Sequence, residues 1–129
     1  MADSKATVDL KLEAIVIPVA DVDRSKAFYE SLGWRLDADF GFDNGFRVVQ
    51  LTPPGSACSI VMGVGVTEMP PGSQKGVQVV VADVAAARKQ LIERGVAASE
   101  VDEQPWGSFV TFADPDGNTW SLQQLPAWK

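Results

Sequence analysis

Residues 14–62 align with residues 76–124 at a constant offset of 62 without a gap, and ten of the 49 aligned pairs are identical. The identical pairs are Val19/Val81, Ala20/Ala82, Asp21/Asp83, Val22/Val84, Gly33/Gly95, Gly45/Gly107, Val48/Val110, Pro53/Pro115, Gly55/Gly117 and Ser59/Ser121. Average residue usage accounts for only about three such matches. Other pairs exchange like for like, among them Ile15/Val77, Ile17/Val79, Lys26/Arg88 and Ile60/Leu122. A period this long that occurs twice is that of one duplicated supersecondary module, not of a solenoid. It also assigns equivalent places to residues of the two halves.

The whole chain, 1–129, fits one domain. Its 129 residues, 46% of them hydrophobic, can bury a single core without disulfides. Cys58 has no partner, and the polar start from Met1 to Lys11 lacks the charged-then-apolar order of a leader, which points to a reducing cytoplasm. No apolar run reaches membrane-spanning length. A net charge of −6 disfavours nucleic acid and acidic membranes and favours a neutral or cationic small molecule, although the same charge also serves solubility.

Each half reads in the same order. Leu12–Val19 and Gly76–Val81 are short β-branched runs that suit buried strands. Asp21 and Asp83 follow as helix caps. The apolar stripes of the two helices are Val22, Ala27, Phe28, Leu32 and Val84, Ala87, Leu91, Ile92, closed by Gly33 and Gly95. Three strands are predicted after each helix, at 34–40, 46–52 and 57–63, then at 97–103, 108–113 and 118–124. Turns fall at Asp43-Asn44-Gly45, Pro53-Pro54-Gly55 and Asp114-Pro115-Asp116-Gly117-Asn118. The class is therefore α+β, with βαβββ modules at 12–63 and 76–124, a Gly/Pro-rich link at 64–75, and arms at 1–10 and Pro126–Lys129.

The run Ile17-Pro18-Val19-Ala20-Asp21-Val22-Asp23-Arg24-Ser25-Lys26-Ala27-Phe28-Tyr29, with Leu32-Gly33-Trp34 and Phe112-Ala113-Asp114-Pro115-Asp116-Gly117-Asn118, resembles the vicinal oxygen chelate superfamily. That group includes glyoxalase I, extradiol dioxygenases and bleomycin resistance proteins. The resemblance covers residues 12–124 and implies two modules whose curved mixed sheets line a cleft. It also implies a divalent metal held by His, Glu or Gln at four positions, which in this chain are Ala14, Ser59, Gly76 and Ser121.

None of the four is a credible ligand for a hydrated cation, and the chain has no histidine. No metal and no cofactor is expected. Alternation puts Val16, Pro18, Gln78, Val80, Thr119 and Gln123 on the same face, where Gln78 and Gln123 can bond a ligand or each other. Glu13 is expected to face away. Phe46 and Trp106 suit a cleft rim, whereas Trp34 and Trp120 suit packing. Arg47 is expected to pair with a surface acid, and Cys58 to be a packing residue.

The resulting expectation is a metal-free binding protein of the glyoxalase/bleomycin-resistance type that holds a hydrophobic or cationic compound, conferring resistance by sequestration. Its binding residues would be Ala14, Val16, Phe46, Ser59, Gly76, Gln78, Trp106, Ser121 and Gln123, with no catalytic residue. The alternative is a glyoxalase-like lyase, isomerase or dioxygenase that works without metal or with relocated ligands, using Glu100, Asp102, Glu103 or Asp39 as base. A third class is a regulatory module with a vestigial cleft. Relatives mostly form two-fold dimers, so a homodimer is expected. Gly76→Trp is expected to fill the cleft while folding is retained.

Overall fold

A computed structural model describes residues 6–127. Met1–Lys5 and Trp128–Lys129, and with them the outer parts of both expected arms, lie outside the described residues. Strand β1 (Ala14–Val16), helix α1 (Val22–Ser31) and strands β2 (Arg35–Gly41), β3 (Arg47–Thr52) and β4 (Ser59–Val64) build the first half. Strand β5 (Val77–Val80), helix α2 (Val84–Glu93) and strands β6 (Asp102–Gln104), β7 (Gly107–Ala113) and β8 (Thr119–Gln124) build the second. The sheets run β1-β4-β3-β2 and β5-β8-β7-β6, each with one parallel pair, β1–β4 or β5–β8, and the other pairs antiparallel. The fold is α+β with two mixed four-stranded sheets. No helix among the described residues is long and apolar enough to cross a membrane.

The helices begin and end where capping chemistry requires. Asp21 accepts from the Arg24 amide at 3.1 Å and Asp83 from the Ala86 amide at 3.1 Å, each satisfying a free donor of the first turn. Gly33 at φ +89° and Gly95 at φ +82° turn the chain out of the helix in the left-handed region. The buried stripes differ from expectation. On α1 the stripe runs Val22, Ser25, Tyr29 and on to Leu32, with Ala27 exposed; on α2 Ile92 is exposed while Val84 and Leu91 are buried.

Both sheets turn one face to their helices and share one core, with Ile17, Val49, Leu51, Ile60 and Met62 from the first half and Val110, Phe112, Trp120 and Leu122 from the second. Tyr29 and Trp34 meet at a tilt of 33° with ring centres 4.8 Å apart, and Trp34 meets Trp120 edge-on at 5.0 Å. The Trp120 indole N–H donates to the Tyr29 hydroxyl at 3.0 Å.

The turn Asp114–Asn118 fastens the halves together. Asp114 accepts from the amides of Asp116 and Asn118, both at 2.9 Å. Asn118 donates to the Pro18 carbonyl at 2.8 Å, while Asp116 accepts from the Ala20 amide, Arg24 and Ser25. Its carboxylates are thus occupied within the fold, as expected of a turn.

Two strand assignments are corrected. The strand expected at 97–103 is reduced to Asp102–Gln104, preceded by an isolated bridge between Ala98 and Phe112. There the Thr111 amide donates to Ser99 Oγ instead of a ladder carbonyl, so the side chain competes with the sheet. Gly76 lies outside β5 at φ +69°, a conformation that a side chain strains. Gly76→Trp would therefore test backbone tolerance as much as cleft filling.

Candidate functional site

The core fixes which side chains are left for function. Because Ile60, Met62, Val49 and Leu51 point into the core, alternation puts Ala14, Val16, Ser59, Val61, Gln50 and Phe40 on the open face of the first sheet, with Ala14 in register with Ser59. In the second sheet Val77, Val79, Trp120, Leu122, Val110 and Phe112 take the core side, leaving Gln78, Val80, Ser121, Gln123, Thr111 and Phe109 on the open face.

On the first face Ser59 is buried and shares a 2.6 Å hydroxyl contact with Thr52, which in turn donates to Asp37. Asp37 reaches this row because a bulge between Leu36 and Ala38 takes it out of register. Hydrogen bonds from Thr52 and then Arg35 hold its carboxyl below the usual aspartate range. Glu13 corrects the expectation. Lying just before β1, it escapes the strand's alternation, and its carboxylate accepts from the open-face Gln50 at 3.4 Å.

On the second face Gln78 donates to Gln123 at 2.6 Å, and Gln123 donates to the Trp106 carbonyl at 3.1 Å. The Trp106 side chain is 57% exposed beside this amide row. Gly76 donates its amide to Thr119 at 2.7 Å. The expected binding residues therefore fall into two groups, Ala14, Val16 and Ser59 on one face and Gln78, Ser121, Gln123 and Trp106 on or beside the other. Among the described residues no hydrogen bond or ring contact joins one open face to the other. Phe46 joins neither group. It sits before β3, packed on Phe42 at 5.6 Å, at the end of the sheet opposite the Thr52–Ser59 row.

A cavity of about 540 Å3 lies elsewhere, along the free edge of β5 between the halves. It touches only Ser59 and Gln78 of the expected residues, and its other walls include Trp34, Leu91, Leu122 and Cys58.

The candidate bases are engaged or exposed. Asp39 is paired with Arg47 at 2.9 Å and Lys26 at 2.9 Å, and those hydrogen bonds hold its carboxyl far below the usual range, so it takes no proton near neutrality. Arg47 also binds Asp23 at 2.9 Å, as its expected pairing with an acid requires. Glu100 pairs with Arg88, and Asp102 accepts from Gln104. The four positions at which the superfamily holds a metal offer only two hydroxyl donors, and that of Ser59 is already bonded, so these residues do not fit a divalent ion. Sequence reasoning turned Glu13 away from this face and did not find Asp37. The bulge that exposes Asp37 leaves no period-two signal.

The profile of the Glyoxalase/Bleomycin resistance protein/Dioxygenase superfamily matches residues 11–122. Among solved structures, TnmS3, an antibiotic binding protein from Streptomyces sp. CB03234, superposes with a TM-score of 0.84 at 36% identity, covering 94% of this chain and all 100% of the other. A glyoxalase/bleomycin resistance protein from the same Streptomyces gives 0.77 at 38% identity over 88% of this chain and 100% of that one. A superfamily member from Sphaerobacter thermophilus DSM 20745 gives 0.79 at 30% identity, covering 90% of this chain and 98% of the other. No protein of curated function is similar in sequence. On the extent of the profile match and of these identities, the chain belongs to the glyoxalase/bleomycin resistance protein/dioxygenase superfamily.

Proposed function

We propose that the protein binds an apolar or cationic aromatic small molecule, of the antibiotic type, without metal and without chemical conversion of the ligand. The observation that carries this reading is the chemistry of the four positions where the superfamily holds its metal: Ala14, Ser59, Gly76 and Ser121 leave neither a coordinating set nor a general base. What surrounds them is a binding surface. The hydrogen-bonded amides Gln78 and Gln123 offer donors and acceptors to a ligand edge, and Trp106 offers a face for stacking. The likeness to an antibiotic binding protein at 36% identity supports the same class of ligand.

Each open face is half of a cleft. A homodimer that lays the first sheet of one copy over the second sheet of its partner would enclose the ligand and cover the exposed Phe40, Val80 and Trp106. A single cysteine in the sequence, Cys58, supports a reducing cytoplasm as the compartment of this activity.

Native mass spectrometry and calorimetric titration with bleomycin and with planar polycyclic antibiotics test the reading. The expected result is a dimer that binds one of these compounds and releases it chemically unchanged, with or without a chelator. A metal-dependent conversion of the bound compound, or failure of every compound to bind, would refute it.

A further inference from the structure

The cavity along β5 has a filled counterpart in the other half. Directly after β1, Ile17 bonds to β4 through its amide, so the Val16 and Pro18 carbonyls point to the other edge. Both are taken by the link and turn: Gly72 donates to Pro18 at 3.1 Å, Asn118 to Pro18 at 2.8 Å, and Gln74 to Val16 at 2.9 Å. The offset of 62 maps Val16 and Pro18 onto Gln78 and Val80, Gly72 and Gln74 onto Leu10 and Leu12, and Asn118 onto Ser56. Directly after β5, Val81 likewise bonds to β8, so the Gln78 and Val80 carbonyls point outward, yet no described residue donates to them. Gln78, Val80, Leu12 and Ser56 all line the cavity.

The segment that would complete the symmetry has the composition to do so. Val8, Leu10 and Leu12 are 75%, 89% and 77% exposed and alternate with Asp9, Lys11 and Glu13, the pattern of a strand with one apolar side. Where a Cβ on Gly72 would meet the Asp116 carbonyl at 2.2 Å, the corresponding turn residue Pro54 borders open space, so a leucine fits at the equivalent place. The cavity is wide there because Trp120 and Tyr29 are matched by the smaller Cys58 and Leu91.

We propose that Val8–Leu12 docks in this cavity of its own chain, along the free edge of β5, with the Leu10 amide donating to the Val80 carbonyl as Gly72 does to Pro18. Leu12 is already at its rim, and four further extended residues span about 13 Å. Apolar walls and an unpaired strand edge are what such a segment satisfies.

Amide hydrogen exchange on the full chain tests this. The Leu10 amide should exchange at least about tenfold more slowly than in a free peptide of residues 6–13, and Val8→Asp should abolish that protection while Val110 keeps its own. Methyl contacts between Leu10 and Leu91 should remain intramolecular in a mixture of isotope-labelled and unlabelled protein. Peptide-like exchange at Leu10 in the wild-type protein would overturn the proposal. So would intermolecular Leu10–Leu91 contacts, which would make the occupant a second copy, or a small molecule bound there while Leu10 is unprotected.

Discussion

Tyr29 on α1 donates its hydroxyl proton to Asp114 of the second half at 2.8 Å, a buried bond between residues 85 positions apart. The same hydroxyl accepts from Trp120. One oxygen therefore joins the first helix to the second sheet in both directions.

Tyr29→Phe should destabilise the fold by about 1–3 kcal/mol, because Trp120 and Asp114 each lose a partner that water cannot easily replace. Urea denaturation followed by tryptophan fluorescence measures this. Burial and the neighbouring Asp114 charge also push the Tyr29 ionisation well above its ordinary value of 10.0. A raised folded-state value means its stabilisation is complete below that ordinary value and declines as pH rises beyond it. The variant should lose this alkaline component, and an unchanged alkaline limb would count against the assignment.

Asp39 governs the opposite end of the pH scale. Its carboxyl is lowered in the fold from an ordinary value of 3.8 by Arg47 and then Lys26, so its contribution is present above that value and declines as pH falls below it. Asp39→Asn should flatten the acid limb of stability below about pH 4. Acid titration monitored by circular dichroism reads the difference.

The caps at Asp21 and Asp83 occupy equivalent positions and make equivalent bonds. Each change to alanine should cost about 1 kcal/mol in thermal or chemical denaturation. Asp21→Ala and Asp83→Ala should also add within error, since each sits at the start of its own helix.

For the proposed ligand surface, Trp106→Ala should weaken binding by about tenfold while leaving stability near that of the parent, as expected for an exposed aromatic contact. Ser121→Trp should block binding outright by crowding the open face. A chelator should change neither affinity. Fluorescence titration of the purified protein distinguishes these outcomes from a ligand that sits elsewhere.

The doubled sequence made much of the fold readable. The offset of 62 by itself places both caps, both terminal glycines and the turn at Asp114–Asn118. The departures have local causes. Tyr29 was missed as the main core residue of α1 because its hydroxyl masked it in an apolar count, yet it is wholly buried once Asp114 and Trp120 bond it. Asp37 was invisible because a bulge suspends alternation, and Glu13 was turned to the wrong face because alternation does not apply outside a strand. Gln78 and Gln123 were readable, including their mutual bond. For Phe46, proximity to a turn does not say at which end of the sheet that turn lies, and it lies at the end away from Thr52 and Ser59.

The Tyr29–Trp34–Trp120 ring cluster has no twin, since the matching positions carry Leu91, Val96 and Cys58. An ancestor with identical halves would have had two interchangeable seams. A chain assembled from two first halves would lack the indole that closes either joint, so the order of the halves has become part of the molecule's identity.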